Sequence, residues 1–325
     1  MEYAEKQVAC VGIDISKDFF DAALPVAGGK HRHLQLGNEE AGFERLFQEI
    51  KEPAACRVVM EASGPYYLRL AGFLHAKGVM VSVVNPLVIR RFCQMRLTRA
   101  KTDKKDAVMI ARYGQAEQPA PWEPEAAHVV ELKQLQTVAE GLQKTLHQHE
   151  RQLEALQQAP HVSRQARQSL ERMVRQAEKE KQQVEERMEL LIREHHQQLY
   201  EQVSSIPGLG KKSTLLLILV TGGFTRFAHY KQLVSYLGLS PRIYESGSSV
   251  RGRSRICKMG MSRARAVLYV CSWSAIRCNK ACKELYERLV TKGKAKRLAL
   301  IAVANKLIKQ AFAIATKGEY YMEKS

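Results

Sequence analysis

Apolar runs are short in this 325-residue sequence: a run such as Leu215–Val220 holds six residues, far below the roughly 18 needed to cross a bilayer. That predicts no membrane span. The N-terminus, Met-Glu-Tyr-Ala-Glu-Lys, places acids where a secretory signal needs basic residues, so the chain is expected to be cytoplasmic. Cysteine is sparse and unpatterned. The seven, at 10, 56, 93, 257, 271, 278 and 282, are odd in number and contain no C-x-x-C pair, which argues against a disulfide framework or zinc knuckle and predicts reduced core thiols. Acidic residues are scarce in one region only. Residues 1–200 carry 28 basic and 27 acidic side chains, whereas residues 201–325 carry 23 basic and 6 acidic.

The chain therefore concentrates its formal net charge of +18 in its last third. A surplus of this size repels itself in the folded state and points to a polyanionic partner, either nucleic acid or an anionic membrane surface. Length suggests more than one domain, and 45% hydrophobic with 26% charged residues fits an ordinary folded protein. Three segments are expected: an α/β domain at 1–120, a helical coiled-coil spacer at 121–200 and a basic, mainly helical domain at 201–325.

In the first segment, 8–15, 19–26 and 31–36 read as strands, 39–50 as a helix, 56–60 as a buried strand, 66–77 as a helix capped by Gly78, and 79–84 as a β-branched strand stopped by Asn85-Pro86. A hairpin-rich start followed by alternating strands and helices predicts a mixed sheet. In the second segment, Leu132, Leu135, Ala139, Leu142, Leu146, His149, Leu153 and Leu156 follow a 3-4 spacing, and residues 157–161, with Pro160, break it before a second amphipathic run. Two such helices either fold back as a hairpin or pair between chains; a subunit contact is the favoured expectation, because a thin stalk buries little unless another surface covers it. The third segment is helical in tendency but cut by glycines. Ile206-Pro207-Gly208-Leu209-Gly210 ahead of a helix at 211–220 resembles a helix-hairpin-helix element, whose backbone N–H groups and neighbouring Lys211 and Lys212 suit a phosphate. Gly210-Lys211-Lys212-Ser213 is not a nucleotide P-loop, which needs Ser or Thr directly after Gly-Lys.

Four acids stand out. Asp14 lies within an apolar strand and Glu61 at the end of another, where a carboxylate is costly unless paired or bound to a cation. Thr102 can cap a helix that places Asp103 and Asp106 on one face. Taken alone, Asp103 and Asp106 read as acids matched to the helix dipole. Together, the four suit Mg²⁺, with Mn²⁺ as a substitute, in a site for phosphodiester chemistry. Further along, residues 245–255 form a Gly/Ser-rich stretch carrying Arg251, Arg253 and Arg255, suited to gripping phosphate. From residues alone Ser246, Ser248 and Ser249 are equally eligible there, first as backbone-capping or phosphate-contacting serines. His31-x-His33 and His195-His196 read as surface histidines, Trp122 as a linker anchor and Trp273 as core.

The blocks Val11-Gly-Ile-Asp-Ile-Ser-Lys17, Met60-Glu-Ala-Ser-Gly64, Val84-Asn-Pro86 and Lys101-Thr-Asp-Lys-Lys-Asp106 resemble the signatures of the DEDD insertion-sequence transposases, related to Piv-type DNA invertases. Ser205 to Gly210, Phe227-Ala-His229, Leu237 to Arg242 and Tyr244 to Gly252 resemble that family's C-terminal transposase domain. The resemblance implies a RuvC-like, RNase H-fold first domain with Asp14, Glu61, Asp103 and Asp106 as metal-binding acids. It makes Ser246, the serine after Tyr-Glu, the nucleophile of a covalent phosphoserine mechanism. It also implies double-stranded DNA as substrate, a structured noncoding guide RNA, and a homo-oligomer, dimer or tetramer, whose site is assembled from two domains. The residues themselves also fit a RuvC-like hydrolytic nuclease of the junction-resolvase type, in which water attacks, or a non-catalytic nucleic-acid scaffold.

Removal of residues 201–325 is expected to abolish most salt-sensitive nucleic-acid affinity, measured as the slope of log affinity against log salt; a slope left intact would contradict it.

Overall fold

The computed structural model describes residues 9–97, 102–242, 245–246, 250–251, 255–257 and 259–323, with backbone alone at 242, 245, 246, 250, 251 and 255. The chain divides into two compact units, Met1–Glu125 and Ala126–Ser325.

The first unit is a mixed sheet with helices on both faces. Strands β1 (Ala9–Ile15), β2 (Phe19–Val26) and β3 (Lys30–Gly37) form an antiparallel meander, and β4 (Cys56–Glu61) and β5 (Met80–Val84) add in parallel on the other side of β1, giving the order β3-β2-β1-β4-β5. Helices α1 (Glu40–Glu49) and α2 (Tyr67–Ala76) cover one face, where Val11, Ile13, Phe20, Val58 and Met60 meet Phe43, Leu46, Leu70 and Leu74. The strand expectations hold to within a residue or two. Gly78, at φ +78°, ends α2 as its sequence position suggests. A helix not anticipated from sequence, α3 (Pro86–Met95), follows β5 directly: the Asn85 side chain accepts from the Leu87 N–H at 2.8 Å and Pro86 takes the first turn, so the residues that stop the strand also start the helix. Trp122 anchors the segment after the next helix, its backbone N–H donating to the Val81 carbonyl at 2.7 Å.

Helix α4 (Asp103–Glu117) lies on the opposite face, and small residues set how close it comes. A Cβ added at Gly12 would stand 2.1 Å from the Ala107 carbonyl oxygen and 2.2 Å from the Ala111 nitrogen; one added at Gly114 would stand 2.4 Å from Cys10 Sγ. The backbones of β1 and α4 are thus in direct contact, and the helix runs antiparallel to the strand, its first turn at the strand's C-terminal end.

Among the described residues the second unit is helical apart from two short strand pairs. Helices α5 (Ala127–Gln157) and α6 (Arg164–Ser204) fold back on each other within the chain, as Arg187 pairing with Glu131 at 2.8 Å shows, instead of leaving their apolar seams for another subunit as expected. Leu132, Ala139 and Leu146 of the α5 seam are buried together with Ala177, Met188, Leu191 and Ile192 of α6. Helices α7 (Lys211–Thr221), α8 (Tyr230–Tyr236), α9 (Ser262–Cys278), α10 (Lys280–Thr291) and α11 (Lys296–Lys317) join the same core, which runs continuously from Leu132 through Leu217 to Ile314. Between α8 and α9 stand two short antiparallel pairs, β6 (Pro241–Arg242) with β9 (Arg255–Ile256) and β7 (Glu245–Ser246) with β8 (Val250–Arg251).

Helix α11 is long and apolar enough by composition to cross a bilayer, which a count of uninterrupted runs overlooks; its buried face, including Leu300, Val303, Leu307, Ile308 and Ala311, packs into the core. Trp273 is not core but 49% exposed on α9. Of the cysteines, Cys10, Cys56 and Cys282 are buried, their thiols pushed up by burial to about 12, about 11 and about 12, while Cys278 is exposed.

Because the spacer helices share one core with the last third, a truncation meant to separate the basic region cleanly falls at Glu125/Ala126. Gly12→Ala is expected to cost about 1–3 kcal/mol or more, since neither backbone can retreat from the added methyl; a denaturation midpoint equal to that of the unchanged protein would refute the close contact.

Candidate functional site

The acids gather where α4 begins over the ends of the parallel strands. Alternation along β1 sends Val11, Ile13 and Ile15 to the α1/α2 core, so Asp14 projects on the α4 face. The same alternation in β4 puts Val58 and Met60 in that core and leaves Glu61 on the α4 side, where Ser63 Oγ donates to it at 3.3 Å. On α4, Thr102 Oγ1 accepts from the Lys105 N–H at 3.3 Å, the capping expected from sequence, and the first turn presents Asp103 and Asp106.

Asp14 senses the other three. The Asp14 carboxyl is raised from its ordinary 3.8 to about 6, first by burial and then by the negative charges of Asp106, Glu61, Asp103 and Asp21. A partly buried carboxylate surrounded by four others is an arrangement that a cation relieves. All the donors are hard carboxylate oxygens, which fits Mg²⁺ or Mn²⁺ better than a softer metal. The side chains are convergent without being drawn into a ligand cage: among the described residues no three His, Cys, Asp or Glu stand at metal-holding spacing.

Asp21 belongs to this region although sequence reasoning passed over it. It sits opposite Asp14 in the β1/β2 register and is 3% exposed. His33 Nε2 lies 2.5 Å from its Oδ1, and Gln35 Nε2 donates to both oxygens at 3.4–3.5 Å. The signal was present: Asp21 interrupts an apolar strand just as Asp14 does. His33 is accordingly the partner of a buried acid and not a bare surface histidine.

In the second unit, Ser246 lies on β7, its residue paired in register with Val250, and Glu245 pairs with Arg251. The stretch read as a Gly/Ser loop is therefore a β-ribbon at its described positions. Arg251 and Arg255 lie on strands β8 and β9 of that ribbon; Arg253, Ser248 and Ser249 lie outside the described residues. Lys211 and Lys212 start α7, as expected, but each faces an acid of α6: Lys211 Nζ is 3.7 Å from Glu189 and Lys212 Nζ 2.7 Å from Glu185. Exposed pairs of this kind are worth about 0–1 kcal/mol, so a phosphate can displace either. Gly208, at φ +103°, lets the turn ahead of α7 rest on α9, where an added Cβ would stand 2.6 Å from the Cβ of Ala275.

Comparison with known proteins matches the chain in two stretches. A DEDD-type transposase family model matches residues 11–160, and that of the transposase IS116/IS110/IS902 family matches residues 200–287. The pilin gene-inverting protein of Moraxella bovis is 29% identical over 317 residues, covering 94% of this chain and 94% of that protein. Its counterpart in Moraxella lacunata is 29% identical over 314 residues with the same coverage. An uncharacterized 43.6 kDa protein of insertion element IS110 in Streptomyces coelicolor is 27% identical over 119 residues, 37% of this chain and 29% of that protein. The chain belongs to the IS110-type family of DEDD transposases, and its five-stranded mixed sheet, with acids at the ends of β1 and β4 and at the start of α4, is that family's RNase H-like catalytic domain.

Proposed function

We propose that this transposase cuts and rejoins double-stranded DNA, by transposition or inversion, in a divalent-metal-dependent reaction that passes through a covalent phosphoserine at Ser246. The observation that carries the reading is the crowding of Asp14 by Glu61, Asp103 and Asp106, four carboxylates at one end of the sheet with no function in folding that requires them together.

In this reading Asp14, Glu61, Asp103 and Asp106 hold Mg²⁺ or Mn²⁺, with Asp21, fixed by His33 and Gln35, behind them. Such an ion, when bound, neutralises charge on the phosphate and on the oxygens that attack and leave. The Ser246 hydroxyl gives up its proton and forms an Oγ–P bond; the phosphorus–oxygen bond of the DNA strand breaks, and the released sugar oxygen leaves as a hydroxyl. The number of phosphoester bonds is conserved, so a different strand end can later attack the phosphoserine and regenerate the serine without ATP. Arg251, Arg253 and Arg255 balance the charge that builds on the phosphoryl group, and Lys211 and Lys212 exchange their α6 partners for phosphates. The turn before α7 serves as a helix-hairpin-helix-like backbone grip. The protein works on chromosomal DNA in the cytoplasm as a dimer or tetramer, and a structured noncoding RNA from the element selects the DNA by base pairing, as the family resemblance implies. The pilin gene-inverting relatives favour inversion as a possible outcome beside transposition.

Ser246→Ala is expected to remove covalent protein–DNA adducts, trapped by denaturation and read on a gel, while leaving DNA affinity within about twofold. Metal-dependent cutting by that variant would instead establish the hydrolytic nuclease reading with water as nucleophile. Sequencing nucleic acid that copurifies with the full chain is expected to return one discrete structured RNA; random fragments alone would remove the RNA from the reading.

The charge crowding has a stability consequence with a definite sign. A carboxyl that ionises at about 6 in the folded chain and at 3.8 otherwise favours the fold below pH 3.8 and loses that contribution as pH rises through 6. Without divalent ion at pH 8, Asp14→Asn is therefore expected to melt higher than the unchanged protein, the gap closing as pH falls from about 6 towards 4. Mg²⁺ is expected to raise the melting temperature of the unchanged protein more than that of the variant, which is inactive. A variant that melts lower at pH 8 would show that Asp14 is held by structural partners.

A further inference from the structure

Three histidines meet where the start of α5 lies against the last third of α6. The His128 ring stacks on His195 with centroids 4.0 Å apart and planes 12° from parallel, and its Nε2 stands 3.3 Å from Nε2 of His196. Successive side chains on a regular helix point about 100° apart, so adjacent histidines cannot ordinarily face one partner. Here they do, because α6 leaves helical geometry at His196, with φ −141° and ψ 23°. The Cε1–Nδ1 edge of the His196 ring lies against Gly223, where an added Cβ would stand 3.5 Å and 3.7 Å from those atoms, which leaves Nε2 as the edge turned to His128.

We propose that Nε2 of His128 and Nε2 of His196 form a binding site for a borderline transition-metal ion, Zn²⁺ foremost, that clips α5 to α6. Two nitrogens bound at about 2.0–2.1 Å to one tetrahedral zinc stand about 3.3 Å apart, the separation found here without any movement of the rings. A neutral imidazole has a lone pair on one ring nitrogen, and each ring offers it at Nε2 once its proton sits on Nδ1. Imidazole nitrogen selects Zn²⁺, Ni²⁺ or Cu²⁺ over Mg²⁺ and Ca²⁺, so the site is chemically separate from the carboxylates of the first unit. His195 fixes the plane of the His128 ring by stacking and stays outside the ligand set. Two protein ligands make the site, water fills the remaining positions, and no third donor at metal-holding spacing is found among the described residues. The departure from helical geometry at His196 is explained as the device that aims the second ring.

Calorimetric titration of the full-length protein with Zn²⁺, in excess Mg²⁺ to occupy carboxylates, is expected to show one equivalent bound and a rise in melting temperature. His128→Gln and His196→Gln are each expected to weaken that binding at least tenfold and to abolish the thermal shift, while His195→Gln keeps both. A second measurement needs no variant: the electron paramagnetic resonance spectrum of the Cu²⁺-loaded protein should carry hyperfine coupling from two imidazole nitrogens. Zn²⁺ affinity and thermal response unchanged in the two Gln variants, or a Cu²⁺ spectrum without imidazole nitrogen, would overturn the proposal.

Discussion

The first unit depends on one contact, the backbone approach of α4 to β1 across Gly12, Ala107, Ala111 and Gly114. With side chains at Gly12 or Gly114 the helix would have to lift off the sheet, because atoms in contact at 2.1–2.4 Å from an added Cβ leave no room for it. Lifting the helix would carry Asp103 and Asp106 away from Asp14 and Glu61. Packing and chemistry are thus coupled through residues that have almost no side chain: the small positions set the distance, and the acids one turn away use it.

That contact accounts for the electrostatics as well. The fold places a carboxylate in partial burial and then adds like charges around it, an arrangement that stabilises nothing in the absence of a cation. Sites where burial and like charge raise a pKa together are common where a protein must hold a metal or move a proton. The second unit reverses the sign. Its basic residues outnumber its acids, and where the lysines at the start of α7 meet acids, Lys211 with Glu189 and Lys212 with Glu185, the pairs are exposed and weak. One unit gathers negative charge at the end of its sheet, and the other carries the positive surplus.

Much of this was legible from residue order. Alternation in 9–15 and 19–26 marks strands because a one-sided core needs period two, and Thr102 followed by an acid at each of positions 103 and 106 marks a capped helix start. Asp14 and Glu61 stood out because acids in apolar strands are costly. Asp21 carries the same mark but was passed over, since its significance comes from facing Asp14 across the β1/β2 register, and register is a pairing between distant residues. Helix α3 was missed because Asn-Pro reads equally as a strand stop and a helix start. The a/d seam of α5 named the apolar face correctly but not its partner; any helix with a matching stripe would serve, and the short break at 158–163 let α6 reach it first.

The sequence by itself determined the mixed sheet, the two long helices, the basic last third, and the places of Asp14 and Glu61 on strands and of Asp103 and Asp106 at a helix start, because each follows from local period, capping or composition. Tertiary structure alone decided that α4 lies within backbone contact of β1, that the α5 and α6 seams close on each other within the chain, that Trp273 is exposed, and that His128 meets His195 and His196 across 67 and 68 positions. The physical reason is common to all four. Local sequence specifies which surface an element must bury, but which other surface covers it depends on chain reach, small-residue clearance and register, and these are settled only when distant segments pack.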